Sequence, residues 1–166
     1  MEQSKRQGED FLKAADIGYL LSRCMSIFNL GALNVEEARS VLYEASVTQL
    51  LIWLNDLLQR ADDDGKRIKF TDDIAPAIGD VTDLISKLRN AACHIRSKNS
   101  DVALNTVRFC VVHGKRPKSM VIRDVVLGCD YEDDSAVFFG QYRLYMRRHA
   151  LRAVEELAKA YGITLG

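Results

Sequence analysis

Proline is scarce in this chain, with two in 166 residues, and no low-complexity tract marks a linker. A single domain over residues 1–166 is expected, long enough to bury a core without disulfides or a metal staple. Net charge is missing as well, since 23 basic side chains face 23 acidic ones. Global charge therefore gives no pull toward long nucleic acid or an anionic membrane, and any polyanion must be met locally. No stretch approaches the roughly 18 apolar residues of a membrane span, and the opening MEQSKRQGEDF lacks the apolar run of a signal peptide. A cytoplasmic protein with no membrane partner is expected. Cys24, Cys93, Cys110 and Cys129 are far apart, with no C-x-x-C pair and no zinc-type Cys/His spacing. They read as free buried thiols, and no cofactor or metal is expected.

What the chain does have is helical periodicity. From about Asp10 to Leu33, apolar Ile17, Leu20, Leu21, Cys24, Ile27, Phe28 and Leu30 recur every three or four positions. Gly31 and Asn34 interrupt this helix, and Asn34 with Glu37 resembles a capping box for the next. That second helix, with Val41, Leu50, Leu51, Leu54, Leu57 and Leu58, runs to about Ala61. After the acidic turn at 62–65, Thr71 or Asp73 can cap a third helix reaching about Ser97, with Pro76 tolerated near its start. Residues 106–112 and 120–127 are rich in β-branched side chains, and HGKRPKS between them suits a hairpin loop. An acidic loop at 130–134 and the short apolar run 136–139 precede a last helix, from about Gly140 to Tyr161. The expected fold class is mainly all-α: an antiparallel bundle of four long helices with a small β or extended insertion before the last.

The segment LRNAACHIRSK, residues 88–98, stands out because it sets Arg89, Asn90 and His94 within six residues near the end of an apolar helix. At about 100° per residue, Asn90 and His94 share a face while Arg89 lies about 140° round from His94. One helix does not easily aim all three at one point, unless the long arginine curls back or a second copy of the helix completes the site. The residue types suit phosphodiester chemistry. A guanidinium grips phosphate oxygens through two parallel hydrogen bonds, an imidazole titrates near neutral pH, and Asn90 can orient His94 or a substrate hydroxyl. In RNA the attacking 2′-OH is already in the substrate, so no metal is required. Lys87, Arg96 and Lys98 add positive charge around the same group.

The RNAACH stretch resembles the R-x4-H motif, with a polar residue straight after the arginine, of HEPN domains (higher eukaryotes and prokaryotes nucleotide-binding). The order of long helices before it, and the entry to the last helix through DDSAVFFGQYRLYMRRH, is similar to HEPN proteins of phage-defence and toxin type. The resemblance implies a metal-independent endoribonuclease of a prokaryotic defence or toxin–antitoxin system, including abortive infection, acting as a homodimer whose motifs face each other. By position, Arg89 would hold the scissile phosphate, His94 would be general acid or base and Asn90 the polar helper, while the clustered charge of Lys87, Arg96 and Lys98 makes them candidate RNA contacts beside the motif. The implied partners are an RNA substrate, a second copy and a cognate antitoxin. In one subfamily a tyrosine two residues after the motif histidine receives nucleotides from a nucleotidyltransferase antitoxin. Arg96 stands there in this chain. The alternative from another class is a catalytically silent HEPN module that dimerises and binds a partner protein or RNA.

Remaining polar clusters read as solvated faces. His113, beside Lys115 and Arg116, is expected in an exposed loop able to touch an RNA backbone, and His149, after Arg147 and Arg148, on the outer face of the last helix. Asp130, Glu132, Asp133 and Asp134 lack calcium-loop spacing.

Overall fold

A computed structural model describes residues 2–34, 40–93, 101–102, 105–106, 108–122 and 125–165, of which 2–10 and 101–106 are described as backbone only. The apolar stripes form helices α1 (Glu2–Asn29), α2 (Val41–Asp63) and α3 (Val81–Cys93). Among the described residues seven strands follow: β1 (Asp101–Val102), β2 (Asn105–Thr106), β3 (Cys110–His113), β4 (Arg116–Ile122), β5 (Val125–Cys129), β6 (Ser135–Phe139) and β7 (Tyr142–Tyr145). A π-helical turn, Met146–Leu151, leads into α4 (Arg152–Tyr161). Among the described residues no helix is long and apolar enough to cross a membrane.

The all-α expectation is overturned, because the stretch between α3 and α4 is a substantial antiparallel β layer and the fold is mixed α/β. β6 lies between β3 and β7 in one sheet, while β4 pairs with β5 and β1 with β2. β6 explains the arrangement. Its Val137 and Phe139 enter the core shared with the helices, while Ala136 and Phe138 enter a second core with Val112, Leu127, Cys129 and Tyr145. Alternate residues point to opposite faces of a strand, so this run is apolar because both faces are covered. Helices lie on one side and the β4–β5 arm on the other.

Individual boundaries shift for local reasons. α2 starts at a Ser40 cap, whose hydroxyl accepts the Leu42 N–H at 3.1 Å. The expected start near Asn34 and Glu37 falls partly on residues outside those described. α3 begins at Val81 instead of near Thr71, since Asp73 and Gly79 take positive φ values of 58° and 103°, which a helix cannot contain. Asp80 caps it by accepting the Asp83 N–H at 3.1 Å. Residues expected as the HGKRPKS loop are largely strand β4, and residues 142–145, expected as helix, pair with β6 as β7.

Helix directions place the ends that matter. Arg60 of α2 reaches Asp16 of α1 at 2.6 Å, and Lys13 reaches Asp64 at 2.5 Å, so α1 and α2 run antiparallel. Arg67 forks to Asp62 at 2.5 Å, Asp80 at 2.9 Å and Asp83 at 2.8 Å, tying the end of α2 to the start of α3. α3 therefore starts beside the end of α2 and runs back along it.

Candidate functional site

α3 is a two-sided helix: Val81, Leu84, Ile85, Leu88 and Ala91 are buried in the core, while Lys87, Arg89 and Asn90 are half-buried at its edge. Its final turn carries the candidate site. Arg89 Nη1 donates to Asn90 Oδ1 at 2.9 Å, so the long side chain curls toward its neighbour. His94, Arg96 and Lys98 fall outside the described residues. The carboxamide thus holds the guanidinium, whereas the sequence suggests that it orients His94 or a substrate hydroxyl.

The electrostatic setting of Arg89 differs from that of its peers. Half-buried Arg60, Arg67, Arg143, Arg148 and Arg152 each lie against one or more carboxylates, and the carboxylate contacts raise their guanidinium basicity where a shift is resolved. Arg89 has no carboxylate partner among the described residues, and its one side-chain acceptor there is neutral. A guanidinium withdrawn from water without a counter-charge favours an incoming anion. Lys87, by contrast, lines a separate cleft of about 240 Å³ with Ala75, Ala77, Ile78, Gln141 and Tyr142.

His149 is not on a solvated face. It is fully buried, with Nδ1 accepting the Tyr145 N–H at 3.2 Å and Nε2 donating to the Asp72 carbonyl at 2.9 Å. This pattern requires the neutral ring protonated on Nε2. Burial lowers its pKa below the ordinary 6.5, against the Asp72 carbonyl, which favours the charged form. The unfolded chain therefore binds a proton more readily, so this contribution is complete above about pH 6.5 and is lost as pH falls below it. Carboxylates held below their ordinary value of 3.8, such as Asp72, act in a lower window. We predict that the urea midpoint falls between about pH 7 and about pH 5, and falls less steeply in His149→Gln. Identical slopes in the two proteins would remove His149 from the account.

The acidic loop is occupied by protein partners. Asp130 receives Arg143 at 2.9 Å and the Tyr145 hydroxyl at 2.7 Å, and Asp133 receives Arg148 at 3.0 Å. Asp134, buried, caps the π-helical turn by accepting the Arg147 and Arg148 N–H groups at 2.9 and 3.1 Å. Among the described residues no group of three His, Cys, Asp or Glu is placed to hold a metal ion. His113 is exposed, but its Nδ1 meets Ser135 Oγ at 2.9 Å across the β3–β6 pair. Ser135, His113 and Tyr43 edge a cleft of about 230 Å³. Spacing along the chain could not reveal that grouping, because Tyr43 and Ser135 come together only through the packing of α2 on the sheet. The thiols also divide. Cys24 and Cys129 are buried, Cys110 is half-buried, and Cys93, expected to be buried, is exposed at the end of α3. Burial pushes the Cys24 thiol up to about 12.

No protein-family model, curated protein or solved structure matches this chain.

Proposed function

We propose that the chain is a metal-independent endoribonuclease whose site is built on the last turn of α3 and the residues just after it. The observation that carries this reading is Arg89, half-buried, held by Asn90 and without a carboxylate partner among the described residues. In the proposed reaction the substrate 2′-oxygen attacks phosphorus and the 5′-oxygen leaves, giving a 2′,3′-cyclic phosphate. His94 moves the proton, Arg89 neutralises charge gained by the phosphoryl oxygens, and Asn90 keeps the guanidinium in place. A second copy of the chain completes the site. Leu30 and Val41, which are 79% and 82% exposed, offer apolar surface for that association. The resemblance in the RNAACH stretch adds the setting: a prokaryotic defence or toxin–antitoxin system in the cytoplasm, with an antitoxin as a further partner.

The test incubates purified protein with mixed cellular RNA, with and without EDTA, and examines the fragment ends, while light scattering measures particle mass. Cleavage that survives EDTA, leaves 2′,3′-cyclic phosphate ends and spares 2′-deoxy substrate is expected, from a particle of twice the chain mass. Cleavage only with added metal would sink the mechanism. RNA binding with no cleavage would leave the silent binding module.

A further inference from the structure

The β4–β5 arm is unlike the rest of the molecule. One of its faces packs on the second core through Leu127 and Cys129, with Ile122 and Val125 against the same cluster. Val121 and Val126, paired directly across the arm, face outward and are 58% and 43% exposed. Every residue of β4 from Arg116 to Val121 is exposed, so this strand has solvent on its free edge and outer face.

Among the described residues of the arm and its approach, charge has one sign, with Arg123 and Asp124 of its turn lying outside them. Lys115, Arg116 and Lys118 are exposed, and none forms an ion pair among the described residues, where most half-buried arginines are neutralised. Glu132 belongs to the neighbouring turn and makes no ion pair with Lys115. The geometry at the base of the arm is also fixed. The register shifts between Arg116 and Met120, and there Gly128 lies so close to the Pro117 and Arg116 carbonyl groups that a Cβ would collide with them. A bulge of this kind twists a strand and re-aims its side chains.

We propose that the β4–β5 arm is an RNA-gripping element, with Lys115, Arg116 and Lys118 on backbone phosphates and the Val121–Val126 pair against sugar and base faces. Charge complementarity selects this occupant. Three unneutralised cations beside a small aliphatic surface match a polyanion that also presents apolar faces, and a chain of zero net charge can attract RNA only through such a local patch. The inference rests on RNA as the substrate class, and it adds where the strand is held outside the reacting centre.

The experiment reads binding alone, so that its failure is distinct from failure of the cleavage chemistry. Full-length wild-type protein is titrated against fluorescein-labelled, 2′-O-methylated single-stranded RNA, which cannot be cut through a 2′-OH, at several salt concentrations. Replacing Lys115, Arg116 and Lys118 together by Gln is expected to weaken binding roughly ten- to a hundredfold and to make the salt dependence shallower by about 2. An equal charge change at Lys66, Lys69 and Lys159, exposed elsewhere, is expected to leave both nearly unchanged. Val121→Ser with Val126→Ser is expected to weaken binding without altering the salt slope. Absence of binding by wild type, no effect of the arm substitutions, or equal losses in the two charge variants would overturn the proposal. So would a valine variant that turns a dimer into a monomer with RNA affinity intact, since that would make the arm a contact between copies.

Discussion

His94→Ala and Arg89→Ala are each expected to cut RNA about 10²–10⁴-fold more slowly than wild type, with the fold retained. On the proposed reaction, His94→Ala removes the group that moves the proton. For Arg89 the loss is that of a fixed cation at a phosphate that gains charge in the transition state. Its half-buried position, with a neutral acceptor, makes the charge effective because water screens it less. Arg89→Lys is expected to recover little, because an ammonium lacks the planar fork that grips two phosphate oxygens at once. Asn90→Ala provides the graded case. It removes the acceptor that holds Nη1, so the loss is expected to be smaller, and the pH profile set by His94 should not move. Single-turnover rates at saturating protein, with melting curves for each variant, check the series. Wild-type rates in both alanine variants would end the assignment of the site to α3.

Asp134→Ala is expected to lower stability by about 3–5 kcal/mol, because it removes the acceptor shared by three backbone N–H groups. Asp134 is 1% exposed. Its carboxylate accepts N–H groups from Ser135 at 2.7 Å, Arg147 at 2.9 Å and Arg148 at 3.1 Å, together with the Arg148 guanidinium at 3.1 Å. Taking it away strands backbone donors at the start of the π-helical turn, and each such buried donor costs about 1–3 kcal/mol. Asp134→Asn keeps an acceptor of nearly the same shape and is expected to lose less. Urea unfolding at neutral pH measures both. A loss under about 1 kcal/mol in the alanine variant would mean that water replaces the carboxylate at the turn.

How far the sequence could be read depended on the range of the forces involved. The stripes through Ile17, Leu21 and Cys24, through Leu50, Leu54, Leu57 and Leu58, and through Leu84, Ile85 and Leu88 all became buried helix faces, because the 3.6-residue period is written along the chain itself. RNAACH was visible for a related reason: residues four apart on a helix share a face wherever the helix lies. The β layer was underestimated. A four-residue strand such as Tyr142–Tyr145 has too few positions to separate a period of two from one of 3.6, and it became strand through pairing with β6.

By its local order the sequence determined three apolar helices and the placing of Arg89 and Asn90 on the last turn of the third, since propensity and side-chain period act within a few residues. Tertiary structure alone decided that Ser135–Phe139 would be covered on both faces, that His149 would be buried between Tyr145 and Asp72, and that Asp134 would cap a turn. It also decided that Arg89 would keep no carboxylate among the described residues while Arg67 acquired three. Burial and ion pairing depend on which distant segments meet, and that choice is made by the packing of the whole core rather than by any one stretch of it.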